Sequence, residues 1–389
     1  MPDALRKAGR KQLTDFERLD LKVLFVSTSY PKNDLDWRGR FIERMVCGLS
    51  ERDIALHVWA PPGKLPDNVK YAASGEEKIW LDNLSVEGGI AHKVRNGPLQ
   101  ALLWGSGLLL RLRDVYKRFS CADLYHVNWL QNALSIPDNN KPILVSVLGT
   151  DLSLLRIPGI KSALKRVFKQ HPAILAPNNN WMIPVLEENF GMAAEVREIK
   201  FGIDHEFYDM NRSIVANPRI WIAVTRITKD KIGPLFDWGE SCFREEDELH
   251  VIGPIIEKIS SPSWVKYHAP ANLGEIRDVW FKRASGLITL SSHSEGLPQV
   301  VLEAMASGLP VIASPHSSHK EVVVHMENGW IAGSAGEFCE GIKLLSDPEG
   351  NISMGLSARS SILNICGTWE NAAERYHNAY KELMRRAEK

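Results

Sequence analysis

Short apolar runs that are rich in β-branched residues and too short for helices recur along the first half of this chain. Stretches of helical character, such as 41–51 and 161–169, separate them. Apolar runs of this length are typical of strands that are buried on both faces of a parallel sheet. They lie at 22–27, 54–59, 124–127, 143–148 and 173–176. This alternation predicts a doubly wound α/β domain with a Rossmann-like sheet.

A second series of the same kind follows, at 220–225, 249–252, 286–290 and 310–313. The polar, turn-forming stretch 202–218 separates the two series. Because 389 residues exceed the roughly 250–300 at which a single core stops growing, we predict a second Rossmann-like domain.

The end of the chain is a predicted amphipathic helix, since Ala373, Tyr376, Tyr380 and Leu383 follow three- and four-residue spacing. We expect this helix to return to the first domain. The predicted parts are therefore an N-terminal extension, 1–20, an N-terminal domain, 21–205, a C-terminal domain, 206–368, and a C-terminal helix, 369–389.

Charge and cysteine content exclude several classes of protein. Lys+Arg 47 balance Asp+Glu 47, so the basic excess of a nucleic-acid-binding protein is missing and no nucleic-acid partner is expected. The five cysteines are scattered without a C-x-x-C pair, which indicates neither a zinc site nor a disulfide framework.

The N-terminus lacks the apolar stretch of a signal peptide, and no uncharged apolar run of about 18 residues occurs. We expect a cytoplasmic protein that does not span a membrane.

The segment 291–314, SSHSEGLPQVVLEAMASGLPVIAS, has the most specific pattern in the chain. It reads as strand end, loop, helix, turn and next strand, with Glu295 in the loop and Glu303 in the helix. In open α/β sheets, ligands bind outside the carboxyl ends of the strands, where the amides of a helix N-terminus favour phosphate. Both glutamates can therefore face one ligand.

Carboxylates are the acceptors that sugar and ribose hydroxyl groups need, and a bidentate pair orients them rigidly. Glu295 would hold a sugar and Glu303 a ribose. The alternative is that Glu303 is a solvated helix residue and Glu295 an ordinary loop charge. The apolar helix around Glu303 and the glycine-bounded turns on each side favour a polar cleft.

This segment resembles the nucleotide-sugar motif of the family-4 retaining glycosyltransferases, which has a Glu, seven residues, then a Glu followed by Ala-Met-Ala-x-Gly-x-Pro-Val. The resemblance implies a GT-B fold, in which the N-terminal acceptor domain and the C-terminal nucleotide-sugar domain face each other across a donor cleft. It also implies sugar transfer from a nucleotide diphosphate sugar with retention of anomeric configuration and without a metal ion or other cofactor. On this resemblance Glu295 is catalytic, and the donor-binding residues of the segment are Gly296, Leu297, Pro298 and Glu303.

Other stretches resemble the family in order and spacing, from about Lys22 to the C-terminal helix. In VTRITKDKIG, 224–233, Arg226 and Lys231 occupy the places of the family's strand-ending arginine and the lysine that follows it. Two fixed cations would neutralise a departing diphosphate in place of a metal ion, so both are predicted to be catalytic. The alternative is a pair of surface charges in a polar turn.

In SYPKNDLDWRGRFIERM, 29–45, the chain resembles the family's glycine loop, with Gly39 at the helix start. Gly39 would let the backbone approach the donor phosphate. Asp34 and Asp36 also spell the D-x-D metal motif of the other glycosyltransferase fold. We interpret them as a polar loop, because that motif belongs to a single-domain architecture.

Three further residues are candidates for the sugar or acceptor side of the cleft. VSVLGTDLS, 145–153, resembles the family's His-Gly-x-Asp stretch, with Gly149 and Asp151 matching and Leu148 in place of the histidine. His126, at the end of a predicted strand, is the third candidate. The alternative for a lone histidine at a strand end is a structural role.

Two further stretches complete the resemblance. FGIDHEF, 201–207, resembles the family's interdomain turn, and we interpret it as a hinge. Glu321, in HKEVV, matches a family glutamate, which is expected to bind the donor or to cap a helix. His316 and His319 lack the third ligand that a metal site would need.

Other functions stay open at this point. A sugar-nucleotide 2-epimerase or a phosphorylase can use a similar pair of domains, although a phosphorylase would need a pyridoxal lysine. A nucleotide-sugar-binding scaffold without activity is the non-enzymatic alternative, and the intact Arg226, Lys231, Glu295 and Glu303 argue against it. A dehydrogenase is disfavoured because the turn after Val26 lacks G-x-G-x-x-G.

Two segments of the first domain point to an anionic membrane surface. Residues 155–170 contain basic residues without an acidic one, and 102–112 contain Trp104 and a leucine cluster. Basic helices with an apolar side can lie on anionic lipid. We therefore predict a cell-surface glycan or lipid-linked saccharide as acceptor, met at the inner face of the cytoplasmic membrane. The alternative is that both helices bury their apolar sides in the core.

Overall fold

The computed structural model describes residues 21–86, 98–215, 217–260, 262–292 and 296–388. Within them the chain forms two parallel sheets, each covered by helices, as the alternation of the sequence predicts. Glu295, one of the predicted catalytic residues, lies outside the described residues.

The N-terminal sheet is parallel throughout its described strands, in the order β3-β2-β1-β4-β5-β6-β7. Its strands are β1 Leu21–Val26, β2 Ile54–Trp59, β3 Lys70–Tyr71, β4 Leu124–Asn128, β5 Ile143–Val147, β6 Ala173–Pro177 and β7 Glu195–Val196. In β1, Leu24 and Val26 enter the core on one face of the sheet, and Val23 and Phe25 enter it on the other. Successive side chains of a strand alternate between faces, so two buried faces require an uninterrupted apolar run.

Helices connect these strands. They are α1 Arg40–Ser50, α2 Gly75–Val86, α3 Pro98–Arg118, α4 Ile160–Lys169 and α5 Ile183–Phe190, with 3-10 turns at Leu130–Ala133, Thr150–Arg156 and Asn180–Met182. The inner face of α1 buries Ile42, Met45, Val46 and Leu49, which follow the helical repeat. This face packs against the sheet.

The C-terminal sheet is also parallel in its described strands, in the order β10-β9-β8-β11-β12-β13. Its strands are β8 Arg219–Val224, β9 Asp247–Ile252, β10 Val265–His268, β11 Gly286–Thr289, β12 Val311–Ala313 and β13 Trp330–Ile331. The strand order reverses beside β8, as it does beside β1 in the first sheet. Such reversals are the points at which doubly wound sheets bind ligands.

The helices of the second half are shorter on average. They are α6 His205–Tyr208, α7 Lys229–Ile232, α8 Leu235–Cys242, α9 Leu273–Glu275, α10 Gln299–Ala306, α11 Ser317–Lys320, α12 Ala335–Leu345, α13 Pro348–Ile365 and α14 Trp369–Ala387, with a π-helical turn at Ile276–Phe281. Among the described helices of the whole chain, none has the length and apolar character needed to cross a membrane.

The chain passes between the domains twice, and the two passages touch. The N–H of Ile203 donates to the carbonyl of Gly367 over 3.1 Å. A Cβ on Gly202 would lie 2.2 Å from the carbonyl oxygen of Thr368, so only glycine allows this approach. After the second passage α14 packs on the N-terminal domain, where its residues Trp369, Tyr376, Tyr380 and Leu383 join the core.

A disulfide between Cys242 and Cys339 joins α8 to α12, so the expectation that the cysteines form no disulfide is wrong. The two residues are 97 apart in the sequence and meet only because the two helices pack together. Their spacing alone could not show this. Cys47, Cys121 and Cys366 are free thiols.

Candidate functional site

The two sheets direct the carboxyl ends of their strands into one cleft of about 400 Å³. The N-terminal domain contributes the loop after β1 and the residues that follow β5 and β6. The C-terminal domain contributes the ends of β8, β9, β10 and β11 and the start of α10. Both strand-order reversals therefore open into the same space, where a ligand of such sheets would bind.

Gly39 lies at the cleft, between β1 and α1, in a conformation that requires glycine. Its φ is 70°, in the left-handed region. A Cβ at this position would lie 2.7 Å from Ser29 Oγ and 2.8 Å from the backbone nitrogen of Tyr30. Glycine thus lets the loop turn tightly and places the start of α1, at Arg40 and Phe41, in the cleft wall.

Arg226 and Lys231 follow β8, and both half-buried side chains line the cleft. The hydroxyl of Thr228 accepts the N–H of Lys231 over 3.3 Å and so caps α7. The guanidinium carbon of Arg226 lies 5.2 Å from the centre of the Trp37 ring, which belongs to the N-terminal domain. Contact between the ring and the guanidinium group leaves the N–H groups of Arg226 available to donate to an anion.

The loop before α10 crosses the cleft and touches the N-terminal domain. A Cβ on Gly296 would lie 2.7 Å from Asn178 Oδ1 and 2.9 Å from the carbonyl oxygen of Leu148. Leu297 and Pro298, the next residues, also line the cleft. The predicted donor-binding loop is therefore in contact with both domains.

Glu303 lies on α10 with its half-buried side chain at the cleft, whereas its neighbours Leu302 and Ala304 are fully buried. Burial raises the pKa of Glu303 to about 8, the charge of Asp204 raises it further, and Arg44 opposes the shift. In the ligand-free protein this carboxyl group therefore holds a proton at neutral pH. Hydroxyl groups that donate to it would favour the ionised form.

An ion pair that the sequence analysis missed joins α1 to the interdomain segment beside Glu303. Arg44, on α1, lies 2.8 Å from the carboxylate of Asp204, which precedes α6. The predicted hinge at 201–207 includes Asp204, but nothing in the sequence identifies its distant partner. The pair sets the charge environment of Glu303, because both residues act on its pKa.

The structure corrects the placement of Gly149 and Asp151, neither of which is among the cleft-lining residues. Asp151 is 3% exposed, and its carboxylate accepts the backbone N–H groups of Leu130 and Leu148 over 3.0 and 3.1 Å. Burial raises the pKa of Asp151 to about 6. Asp151 therefore shapes the loop after β5, which places Leu148 in the cleft.

The assignment of His126 to the cleft is also wrong. Its ring is fully buried beneath α14, where Nδ1 is 2.5 Å from the hydroxyl of Tyr380 and Nε2 is 2.8 Å from that of Ser146. Burial lowers the pKa of His126 to about 3. The alternative of a structural histidine is the correct one.

Glu321 joins the two domains instead of lining the cleft. Its Oε1 is 2.6 Å from the Nζ of Lys200 and 2.6 Å from the amide nitrogen of Asn180, and both partners belong to the N-terminal domain. We call this contact the Lys200–Glu321 clasp. The predicted contact between Glu321 and the donor stays a prediction.

The two aspartates of the D-x-D sequence are not arranged as a pair. Arg38 Nε is 2.8 Å from Asp36, whereas the side chain of Asp34 is 97% exposed. Although burial opposes the effect, hydrogen bonds from Arg38 and from backbone amides lower the pKa of Asp36. In the described part of the chain, no group of three or more His, Cys, Asp or Glu residues could hold a metal ion.

Two parallel sheets facing each other across a ligand cleft define the GT-B class of proteins. Residues 275–359 of this chain match the family of glycosyl transferases group 1. The chain is similar to an uncharacterized glycosyltransferase of Haemophilus influenzae, with 38% identity over 84 residues, or 21% of this chain and 24% of that protein. The chain thus matches about a quarter of the length of this relative.

Solved structures resemble nearly the whole chain. Sucrose-phosphate synthase from Thermosynechococcus elongatus superposes with a TM-score of 0.70 at 14% identity, over 93% of this chain and 98% of that one. Anabaena HepE in complex with UDP-glucose superposes with a TM-score of 0.62 at 14% identity, over 93% and 99%. The chain therefore has the GT-B fold, and its segment 275–359, which includes Glu303, matches the model of the glycosyl transferases group 1 family.

Proposed function

We propose that this protein transfers a sugar from a nucleotide diphosphate sugar to an acceptor hydroxyl group, with retention of the anomeric configuration. The observation that carries the proposal is the convergence of Arg226, Lys231 and Glu303 in one interdomain cleft. Two cations suit a diphosphate, and a carboxyl group suits the hydroxyl groups of a ribose. The UDP-glucose complex of HepE supports a nucleotide sugar as the class of donor.

In the proposed reaction, Arg226 and Lys231 stabilise the charge that develops on the departing diphosphate. The bond between the anomeric carbon and the phosphate oxygen breaks, and its electron pair leaves with the diphosphate. The acceptor oxygen bonds to the anomeric carbon from the same face, and its proton passes to the departing phosphate oxygen. Atoms and charge balance without a protein nucleophile, and Glu295 is proposed to hold the transferred sugar.

We propose a cell-surface glycan or a lipid-linked saccharide as the acceptor, met at an anionic membrane surface. Helix α3 supports this surface, because Leu103 and Leu110 are 62% and 61% exposed. Arg113 and Lys117 are exposed on the same helix at three- and four-residue steps from Leu110, so the apolar and basic residues share one face. We call these four residues the α3 face.

Helix α4 contributes charge alone to the proposed surface. Its apolar residues Leu164, Val167 and Phe168 are buried in the core, as the alternative interpretation of the segment 155–170 predicts. Its basic residues Lys161, Arg166 and Lys169 are exposed. The apolar part of the proposed membrane contact is therefore restricted to α3.

The release of free nucleotide diphosphate, measured with and without acceptor, tests the proposed function. A transferase releases it only when an acceptor is present, a sugar-nucleotide epimerase changes the donor without one, and a scaffold binds the donor without turnover on any acceptor. NMR of the product should show the anomeric configuration of the donor, and an inverted product would refute retention.

We expect activity to persist in a chelator. If magnesium were required, Asp34 and Asp36 would become candidates again.

A further inference from the structure

An amide oxygen in the cleft wall is buried and has no hydrogen-bond partner among the described residues. Asn178 directly follows β6, is 3% exposed and lines the cleft. Its Oδ1 is fully shielded from solvent and has no hydrogen-bond partner in the described part of the chain. A buried polar atom without a partner is energetically unfavourable, so such an atom in a binding cleft indicates that a polar ligand group binds there.

The described side chains around Asn178 in the cleft wall are mainly apolar. Val147 of β5 pairs with Pro177 of β6, so Leu148 and Asn178 are the first residues beyond the two strands. Leu148 presents an apolar side chain to the cleft, and the nearby Phe41 and Phe201 stack on each other with ring centres 5.2 Å apart. Asn178 is thus a polar group set into an apolar wall, the arrangement by which binding pockets fix the orientation of a ligand.

The position of Asn178 also indicates which part of a ligand it would meet. The Cβ that Gly296 lacks would lie 2.7 Å from Oδ1 and 3.2 Å from Nδ2 of Asn178. The amide therefore lies against the loop that leads into α10, the helix that carries Glu303. The diphosphate-binding cations Arg226 and Lys231 follow a different strand, β8. A donor held by these three residues would direct its sugar toward the N-terminal wall.

We propose that Asn178 binds a hydroxyl group of the transferred sugar and thereby positions the donor sugar for transfer. This inference rests on the proposed function, since it requires a nucleotide sugar in the cleft. An amide can both donate to and accept from a hydroxyl group, so one sugar hydroxyl can satisfy the polar atoms of Asn178. Asn178 is a residue that distinguishes the nucleotide sugar from the nucleotide diphosphate that remains after transfer.

The test compares the binding of a nucleotide sugar with that of the matching sugar-free nucleotide. UDP-glucose, UDP-N-acetylglucosamine and GDP-mannose are screened by thermal stabilisation of the wild-type protein, and the best of them is titrated calorimetrically beside UDP or GDP. We expect Asn178→Ala to weaken binding of the nucleotide sugar about three- to fifteen-fold and to leave binding of the sugar-free nucleotide within a factor of two. Asn178→Leu should behave in the same way.

Stability of the ligand-free protein separates this role from a structural one. Because Oδ1 has no partner to lose and leucine keeps the side-chain volume, Asn178→Leu should not lower the unfolding temperature, whereas Asn178→Ala also loses packing contacts. The matched control is Asn180→Ala, since Asn180 is exposed and hydrogen-bonded to Glu321 outside the cleft. This control should keep the affinity for both ligands.

The remaining outcomes distinguish failure of the proposed role of Asn178 from failure of the proposed function. If the wild type binds the nucleotide sugar and both Asn178 variants bind it equally well, the role of Asn178 is refuted and the proposed function stands. An equal loss of affinity for the sugar-free nucleotide, or a lower unfolding temperature of ligand-free Asn178→Leu, also refutes the sugar contact. If neither the nucleotide sugars nor UDP and GDP bind to the wild type, the proposed function fails and this inference fails with it.

Discussion

Arg226 and Lys231 are the side chains on which the proposed chemistry depends most directly. We expect Arg226→Ala and Lys231→Ala each to lower turnover by at least roughly a hundredfold, the usual effect of removing one preorganised charge stabiliser. Steady-state turnover with the best donor measures this. Lys229→Ala is the matched control, because Lys229 is an exposed cation in the same turn and should keep nearly full turnover. Near-wild-type rates in either cleft variant would reject the diphosphate assignment.

Glu303 gives a prediction about stability and pH. Its pKa is raised to about 8 in the folded protein from an ordinary value of 4.5. Between these values the unfolded chain loses the proton and the folded protein keeps it, so the folded state loses stability as pH rises. We expect Glu303→Gln to be more stable than the wild type by about 1–3 kcal/mol near pH 8, after allowance for water in the cleft. The difference should vanish near pH 4.5. Equal pH profiles in urea unfolding would contradict the raised pKa.

The same residue gives an opposite prediction for binding. Ribose hydroxyl groups that donate to Glu303 favour its ionised form, so binding releases a proton. The affinity of the wild type for the nucleotide should therefore rise relative to Glu303→Gln as pH increases toward about 8. Calorimetry of both proteins at pH 6, 7 and 8 measures the ratio of wild-type affinity to variant affinity. Titration of the ligand phosphates affects both proteins equally and therefore cancels in this ratio. A constant ratio would show that Glu303 does not bind the ribose.

Single residues were predictable where a motif fixes them relative to a strand end. Arg226, Lys231 and Glu303 do line the cleft, because each follows or faces the carboxyl end of a strand. His126 was predicted at a strand end but lies in the middle of β4, and Asp151 lies in the 3-10 turn after β5; the side chains of both are buried in the interior. Alternation within a strand permits either direction, and only the position of α14 and the loop after β5 decides between them.

At the level of elements, the central strands were predictable and the edge strands were not. Strands such as β2, β4 and β5 lie inside the sheet, so their residues are mainly apolar. The strands β3, β7 and β13 are two residues long and lie at the sheet edges. Runs so short have no periodicity to detect, and β10, with Lys266 and His268, is too polar to read as a buried strand.

The turn between β1 and α1 depends on Gly39. We expect Gly39→Ala to lower the unfolding temperature and to cost about 1–3 kcal/mol, because alanine is strained at a φ of 70° and its Cβ would contact backbone at 2.8 Å. Gly105→Ala is the control, since no atom lies within 4 Å of its added Cβ in the interior of α3. That change should raise stability by about 0.5–1 kcal/mol. Equal effects at both sites would show that the turn is not strained.

In the whole molecule, the sequence predicted two domains and a returning helix but not how the domains touch. The Arg44–Asp204 pair and the Lys200–Glu321 clasp join residues that are far apart along the chain. In the sequence, nothing near these charged residues identifies their partners. The same holds for the Cys242–Cys339 disulfide. Contacts of this kind form when helices and strands pack together, so local sequence patterns do not predict them.

The membrane surface is a property of the whole molecule, because it requires the α3 face to be open to solvent while the cleft stays accessible. We expect the wild-type protein to float with phosphatidylglycerol vesicles at low salt and to detach as salt is added, because basic residues near such a surface contribute roughly 1 kcal/mol each. Leu110→Glu combined with Lys117→Glu places two acids on the α3 face and should abolish flotation. The control is Met192→Glu, since Met192 is an apolar residue of the same domain that is 90% exposed. This control should float like the wild type. If the wild type does not bind at low salt, or if the α3 variant floats as well as the control, a soluble acceptor becomes the better hypothesis.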